Sequence, residues 1–150
     1  MTNEAIKQQV STILSSATFD ESGEFLNILI DAEDLRILMT LLKNGSGKFD
    51  YLFCLTCIDW NTHFTMVYHL TSTSHRNSIV VKAKVERNNP VIETVSNLWR
   101  TAEFHEREVY DLFGVKFSHH PDLRRLILTD DWEGYPLRKD YDDPVNMIKL

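Results

Sequence analysis

Apolar positions along the chain change their spacing several times, and each change marks an element. Ile6, Val10, Ile13, Leu14 and Ala17 recur at three- and four-residue intervals, the rhythm of one helix face, so residues 4–17 are expected to form an amphipathic helix. After Gly23, the apolar run 25–30 has the length of a strand. Asp31 then stands at an N-cap position, with Glu33 and Asp34 in the first turn of a second helix expected over 32–43 and closed by Lys43, Asn44 and Gly45. Three strand-like runs follow, 49–59, 64–72 and 78–86, joined by short polar turns that predict an antiparallel meander. Asn88, Asn89 and Pro90 break the last of these, and apolar residues over 91–113 repeat at helical spacing until Gly114, which predicts a long third helix.

Beyond that point the pattern is lost. Pro121, Gly134, Pro136 and Pro144 punctuate a charged segment that still carries Leu123, Leu126, Leu128, Trp132 and Leu137, so it is expected to lie irregularly against some surface. The order of elements predicts an α+β fold: a mostly antiparallel sheet, one strand and then a three-stranded meander, with helices packed on it. Residues 1–114 read as a single α+β domain and 115–150 as an irregular C-terminal docking arm of the same domain, part of it mobile until assembly orders it.

Charge and composition narrow the function. With 16 basic against 22 acidic residues the net charge is −6, which removes the positive field that nucleic-acid binding needs. No apolar stretch approaches the roughly 18 to 20 residues of a membrane span, so direct membrane insertion is not expected. The N-terminus has neither a secretory nor an organelle-targeting pattern, and the chain is expected to stay where it is made.

Several constellations resemble chemistry without completing it. Cys54 and Cys57 are three apart on an expected strand and point to opposite faces, so they read as buried core thiols and not as a chelate. The stretch 44–48, with Gly45, Gly47 and Lys48, lacks the spacing of a phosphate loop and reads as a turn. His119 and His120 are adjacent and lack a third ligand at a recognisable spacing. On the third helix, Val95, Leu98, Trp99, Ala102, Val109 and Phe113 form an apolar stripe with Glu106 near its middle. A carboxylate so placed is a catalytic acid or, more simply, half of an internal ion pair with Arg124 or Arg125. Glu103, Arg107 and Asp111 are spaced to form a charge ladder on the opposite face, beside Phe104.

From Glu106 onward the chain becomes specific. Glu106, Arg107, Glu108, Asp111, Leu112, Phe113, His120, Pro121, Arg124, Arg125, Leu126 and Ile127 stand in a fixed register, followed by Glu133, Gly134, Pro136, Leu137, Arg138, Lys139 and Asp140. This pattern resembles the family of the C subunit (30 kDa subunit) of respiratory complex I, NADH:quinone oxidoreductase, with Tyr135 where many relatives carry His. The resemblance implies a non-catalytic scaffold on the cytoplasmic side of a bacterial inner membrane, or its organelle equivalent. It further implies no catalytic, cofactor or metal residue in this chain, with FMN, iron-sulfur clusters and quinone held by partner subunits. The signature residues would dock the chain on the D subunit, which helps form the quinone site, near the B subunit. The alternatives are the equivalent component of a membrane-bound hydrogenase or formate hydrogenlyase, and a stand-alone enzyme using Glu106 or the His119 and His120 pair.

Overall fold

A computed structural model of the chain describes residues 1–145; the last positions of the expected arm, 146–150, lie outside the described residues. Helix α1 (Asn3–Ile13) starts where the Thr2 hydroxyl accepts the Ala5 N–H, and it stops four residues short of the expected end. Ser15 and Ser16 turn the chain there, and Thr18–Asp20 becomes a short strand, β1, too brief to leave a pattern in the sequence. Strand β2 (Leu26–Asp31) leads into a single tight turn at Ala32–Asp34 and then α2 (Leu35–Asn44); Asp31 makes no side-chain cap. The meander β3 (Tyr51–Asp59), β4 (His63–Ser72) and β5 (Asn77–Glu86) follows the expected runs to within two residues at each end.

The five strands lie in the order β1-β2-β5-β4-β3. Three of the four pairings are antiparallel, while β2 runs parallel to β5 because α2 and two meander strands intervene between them. The α+β class and the mostly antiparallel sheet are as the sequence implies. All three helices contribute to one core with the inward residues of the sheet, among them Ile6, Val10, Leu38, Met39, Leu55, Phe64, Tyr68, Val81 and Val109.

The third helix is shorter than its apolar spacing suggests. Val91–Glu93 is a strand, β6, residues 94–101 are irregular with turns at 96–98 and 100–101, and only Ala102–Phe113 is helical, as α3. Pro90 and the β-branched Val91, Ile92, Thr94 and Val95 favour extended backbone, and the buried Trp99 is fixed by its indole N–H donating to the Phe49 carbonyl at 3.0 Å. Turns place apolar residues three and four apart as a helix does, which is why periodicity misleads here. Lys116–Ser118, β7, then pairs in parallel with β6, so α3 lies in the crossover that joins the two strands of a small second sheet. No helix among the described residues is long and apolar enough to cross a membrane.

Candidate functional site

Helix α3 presents two buried charged faces, and each is closed by a different segment. On the inner stripe Ala102, Glu106, Val109 and Phe113 are buried at intervals of three and four residues. Glu106 is wholly buried, but neither Arg124 nor Arg125 reaches it. Its carboxylate accepts the Thr94 hydroxyl at 2.5 Å and the Val95 N–H at 2.8 Å, and His120 Nε2 stands 3.7 Å away. The expected ion pair with an arginine is therefore replaced by hydrogen bonds from the segment after β6, which covers this face together with His120.

The His120 ring has both nitrogens engaged. Nδ1 accepts the Asp122 N–H at 3.0 Å, and Nε2 faces the Glu103 carbonyl at 3.0 Å. A carbonyl only accepts and an N–H only donates, so the geometry fits the neutral ring protonated at Nε2. Without a cation beside it, burial drives the Glu106 carboxyl up to about 7 against its two hydrogen bonds, with Glu93 and Glu103 adding in the same direction. His119, at positive φ, turns outward to Glu93, with Nδ1 3.0 Å from a carboxylate oxygen. The adjacent histidines thus diverge and share no site.

The face expected to carry an exposed charge ladder is in fact covered by the arm, and Arg107 and Asp111 are buried. Arg107 donates to the carbonyls of Arg124 (3.2 Å) and Arg125 (3.0 Å). Asp111 Oδ2 accepts three successive N–H groups, from Leu126 (3.1 Å), Ile127 (2.7 Å) and Leu128 (2.9 Å), while Oδ1 takes the Arg125 guanidinium at 2.8 Å. Burial opposes the Asp111 charge, yet these donors together hold its carboxyl below the usual range.

Two further clasps follow along the arm. Gly114 ends α3 in the left-handed conformation (φ 74°), and a Cβ there would lie 2.6 Å from the Tyr135 ring. Arg138 stacks on that ring and donates through Nε to the Phe113 carbonyl at 2.6 Å, while the Leu137 N–H bonds to the Leu112 carbonyl at 3.1 Å. Finally Asp59, buried at the end of β3, accepts the Lys139 N–H at 2.9 Å and pairs with Arg87, which also grips Asp140. The Arg87 hydrogen bond holds Asp59 well below the usual carboxylate range. No pattern in the sequence singles out Asp59, Arg87 or Thr94. Their pairing depends on strand register and tertiary closure, which leave no local signal.

Of the signature residues, Glu106, Arg107 and Asp111 face inward. Arg125 and Arg138 are half-buried, and Pro121, Arg124, Glu133 and Lys139 remain exposed. Glu108 and Pro136 are intermediate. Beside them the arm and α3 display Phe104, Leu126, Ile127 and Leu137, which are 58, 40, 60 and 52% exposed. Cys57 is buried, and burial, reinforced by the Asp59 charge, pushes its thiol up to about 12. Cys54, expected in the core, is only half-buried: a bulge between Leu52 and Cys54 leaves it on the outer face of the sheet. Among the described residues no group of three His, Cys, Asp or Glu side chains could hold a metal ion.

The family model of the respiratory-chain NADH dehydrogenase 30 kDa subunit matches residues 28–145. The chain is 47% identical over 125 residues to an NADH-quinone oxidoreductase C/D subunit of Phocaeicola vulgatus, a match covering 82% of this chain but only 24% of that longer protein. It is 38% identical over 136 residues to the NADH-quinone oxidoreductase C subunit of Moorella thermoacetica, covering 89% of this chain and 91% of the relative. Among solved structures, the trypsin-resistant fragment 1–134 of Nqo5 superposes with a TM-score of 0.72 at 28% identity, covering 82% of this chain and all of that one. A chain of an archaeal membrane-bound sulfane sulfur reductase superposes with a TM-score of 0.79 at 27% identity, over 93% of this chain and 84% of that one.

Proposed function

The chain belongs to the family of the 30 kDa subunit of respiratory-chain NADH dehydrogenase, the C subunit of NADH-quinone oxidoreductases, and from that premise we propose that it is a non-catalytic scaffold that docks through its C-terminal arm onto the D subunit at the quinone site. The B subunit is the second neighbour in this reading. Electron carriers reside in partner subunits, and the chain itself sits peripherally on the cytoplasmic side of the membrane. The observation that carries the proposal is the division of labour within the arm. Its backbone and inward charges are tied to α3 and β3, while among the described residues Ile127, Leu137 and Leu126, and Phe104 on α3, stand exposed outside the core cluster. Exposed apolar side chains interspersed along the arm with the exposed Arg124 and Lys139 have the composition of an interface core with a polar rim. A relative named as a combined C/D protein also favours a close contact between the two.

The test is a double change, Ile127→Glu with Leu137→Glu. Both side chains are largely exposed, so the isolated chain should lose less than about 1 kcal/mol of stability. Co-purification with the D subunit should fall roughly tenfold or more, since hot-spot losses exceed about 2 kcal/mol. Undiminished assembly would remove the docking role from this strip.

A second reading, a component of a related membrane redox complex, is favoured by the similarity to the sulfane sulfur reductase chain. Genes for flavin- and NADH-binding proteins beside this one would decide for the first reading.

A further inference from the structure

The face of the sheet turned away from the helices carries its own pattern. Register places Thr18, Leu29, Lys82, Val67 and Thr56 in one cross-strand row, and Asp31, Lys84, Thr65 and Ile58 in the next. Val67 and Val80 are buried, yet they stand apart from the core cluster, so this outer face holds an apolar patch of its own. At its end a groove of about 450 Å³ opens, walled by Leu29, Ile58 and the half-exposed Trp60 and crossed by Lys82 and Lys84.

The two lysines are two residues apart on the central strand β5 and project to the same side. Neither makes an ion pair among the described residues, although Asp31 also lines the groove and Asp20 lies near Lys82. On a chain of net charge −6, two ammonium groups without an ion pair among the described residues, opposed in the groove lining by Asp31 alone, give this groove a local positive excess.

We propose that this groove is a second docking surface, which receives an acidic segment of a neighbouring protein in the assembly. Carboxylates of that segment pair with Lys82 and Lys84, and an apolar side chain beside them lies against Trp60, Ile58 and Leu29. Nucleic acid is a poorer occupant, since two lysines are too few to track its backbone. The inference rests on the chain working within an assembly, and no lining residue of the groove belongs to the arm, although the arm's Lys139 ammonium lies over the Trp60 ring at 5.9 Å.

The experiment places the photo-crosslinker p-benzoylphenylalanine at Thr65, on the groove floor, in the assembled complex purified through one of its other components. A parallel sample carries it at Ile127 on the arm. Illumination at the Thr65 position should give an adduct with a protein segment of net negative charge. Lys82→Glu with Lys84→Glu should lower its yield about tenfold, whereas Lys82→Arg with Lys84→Arg should preserve it. Should the charge-reversed chain fail to fold, Lys82→Gln with Lys84→Gln serves instead, with a smaller fall expected. A Thr65 adduct on lipid, on a second copy of this chain, or on a neutral or basic segment would overturn the proposal. So would a yield indifferent to charge, or no adduct at Thr65 while Ile127 crosslinks. Absence of adducts at both positions would overturn the assembly reading along with it.

Discussion

Glu106 and Asp111 sit five residues apart on one helix and respond to pH in opposite directions, because their donors differ. Asp111 collects three backbone N–H groups and a guanidinium, whereas Glu106 has one N–H, one hydroxyl and a neutral imidazole nearby. The Glu106 carboxyl is raised from 4.5 to about 7 on folding. A raised acid stabilises the fold fully below its unfolded value, and the contribution is lost as pH rises through the folded one. Between about pH 5 and pH 8 the chain should therefore lose roughly 2 to 3 kcal/mol from this group. Glu106→Gln, whose amide oxygen can accept the Val95 N–H while its NH2 donates to the Thr94 hydroxyl oxygen, should flatten that slope, and urea unfolding of the two proteins at the two pH values is the measurement; parallel slopes would show that Glu106 is already ionised at low pH. Asp111→Ala is the opposite kind of change. It strands three N–H groups and Arg125, and should cost roughly 3 to 5 kcal/mol by thermal or urea unfolding.

At the scale of elements, the junction between α3 and the arm turns on Gly114. A side chain there meets the Tyr135 ring at 2.6 Å and must also accept positive φ, which costs an ordinary residue about 1 to 2 kcal/mol. Gly114→Ala should lower the melting temperature and displace Tyr135 from its stack on Arg138. Tyrosine fluorescence or a ring NMR signal reports the second effect, and an unmoved ring would mean that α3 gives way instead. The sequence made α2 and the meander legible, because their periods of 3.6 and 2 persist over nine or more residues. It also located Glu106 on the buried stripe. What it could not provide was the partner: the turn 94–96 was hidden inside a false helical period, and β1 and β6 span three residues each, too few for any period to emerge. The parallel β2–β5 pairing was equally invisible, since it depends on how the sheet closes and not on any one strand.

For the molecule as a whole, the question is whether the arm belongs to the domain or waits for a partner. Composition suggests waiting: the segment is charged, broken by Pro and Gly, and carries apolar residues with no period. The structure ties it down at Asp111, at the end of α3 and at Asp59, and each tie takes up backbone N–H groups that a mobile segment would leave to water. We therefore expect the amides of Leu126, Ile127, Leu128 and Lys139 to be protected from hydrogen exchange in the isolated chain near neutral pH. The carboxyls of Asp59, Asp111 and Asp140 are all held below their ordinary value, so the stability they contribute is complete above that value and disappears as pH falls through the lowered ones. Acidification should accordingly release the arm before the β4–β5 amides, which depend on no carboxylate, and exchange measured residue by residue on a descending pH series would separate the two. Immediate exchange of the four arm amides at neutral pH would mean that the clasps close only on assembly. The exposed strip of Ile127 and Leu137 would then be shaped by its partner, and not in advance of it.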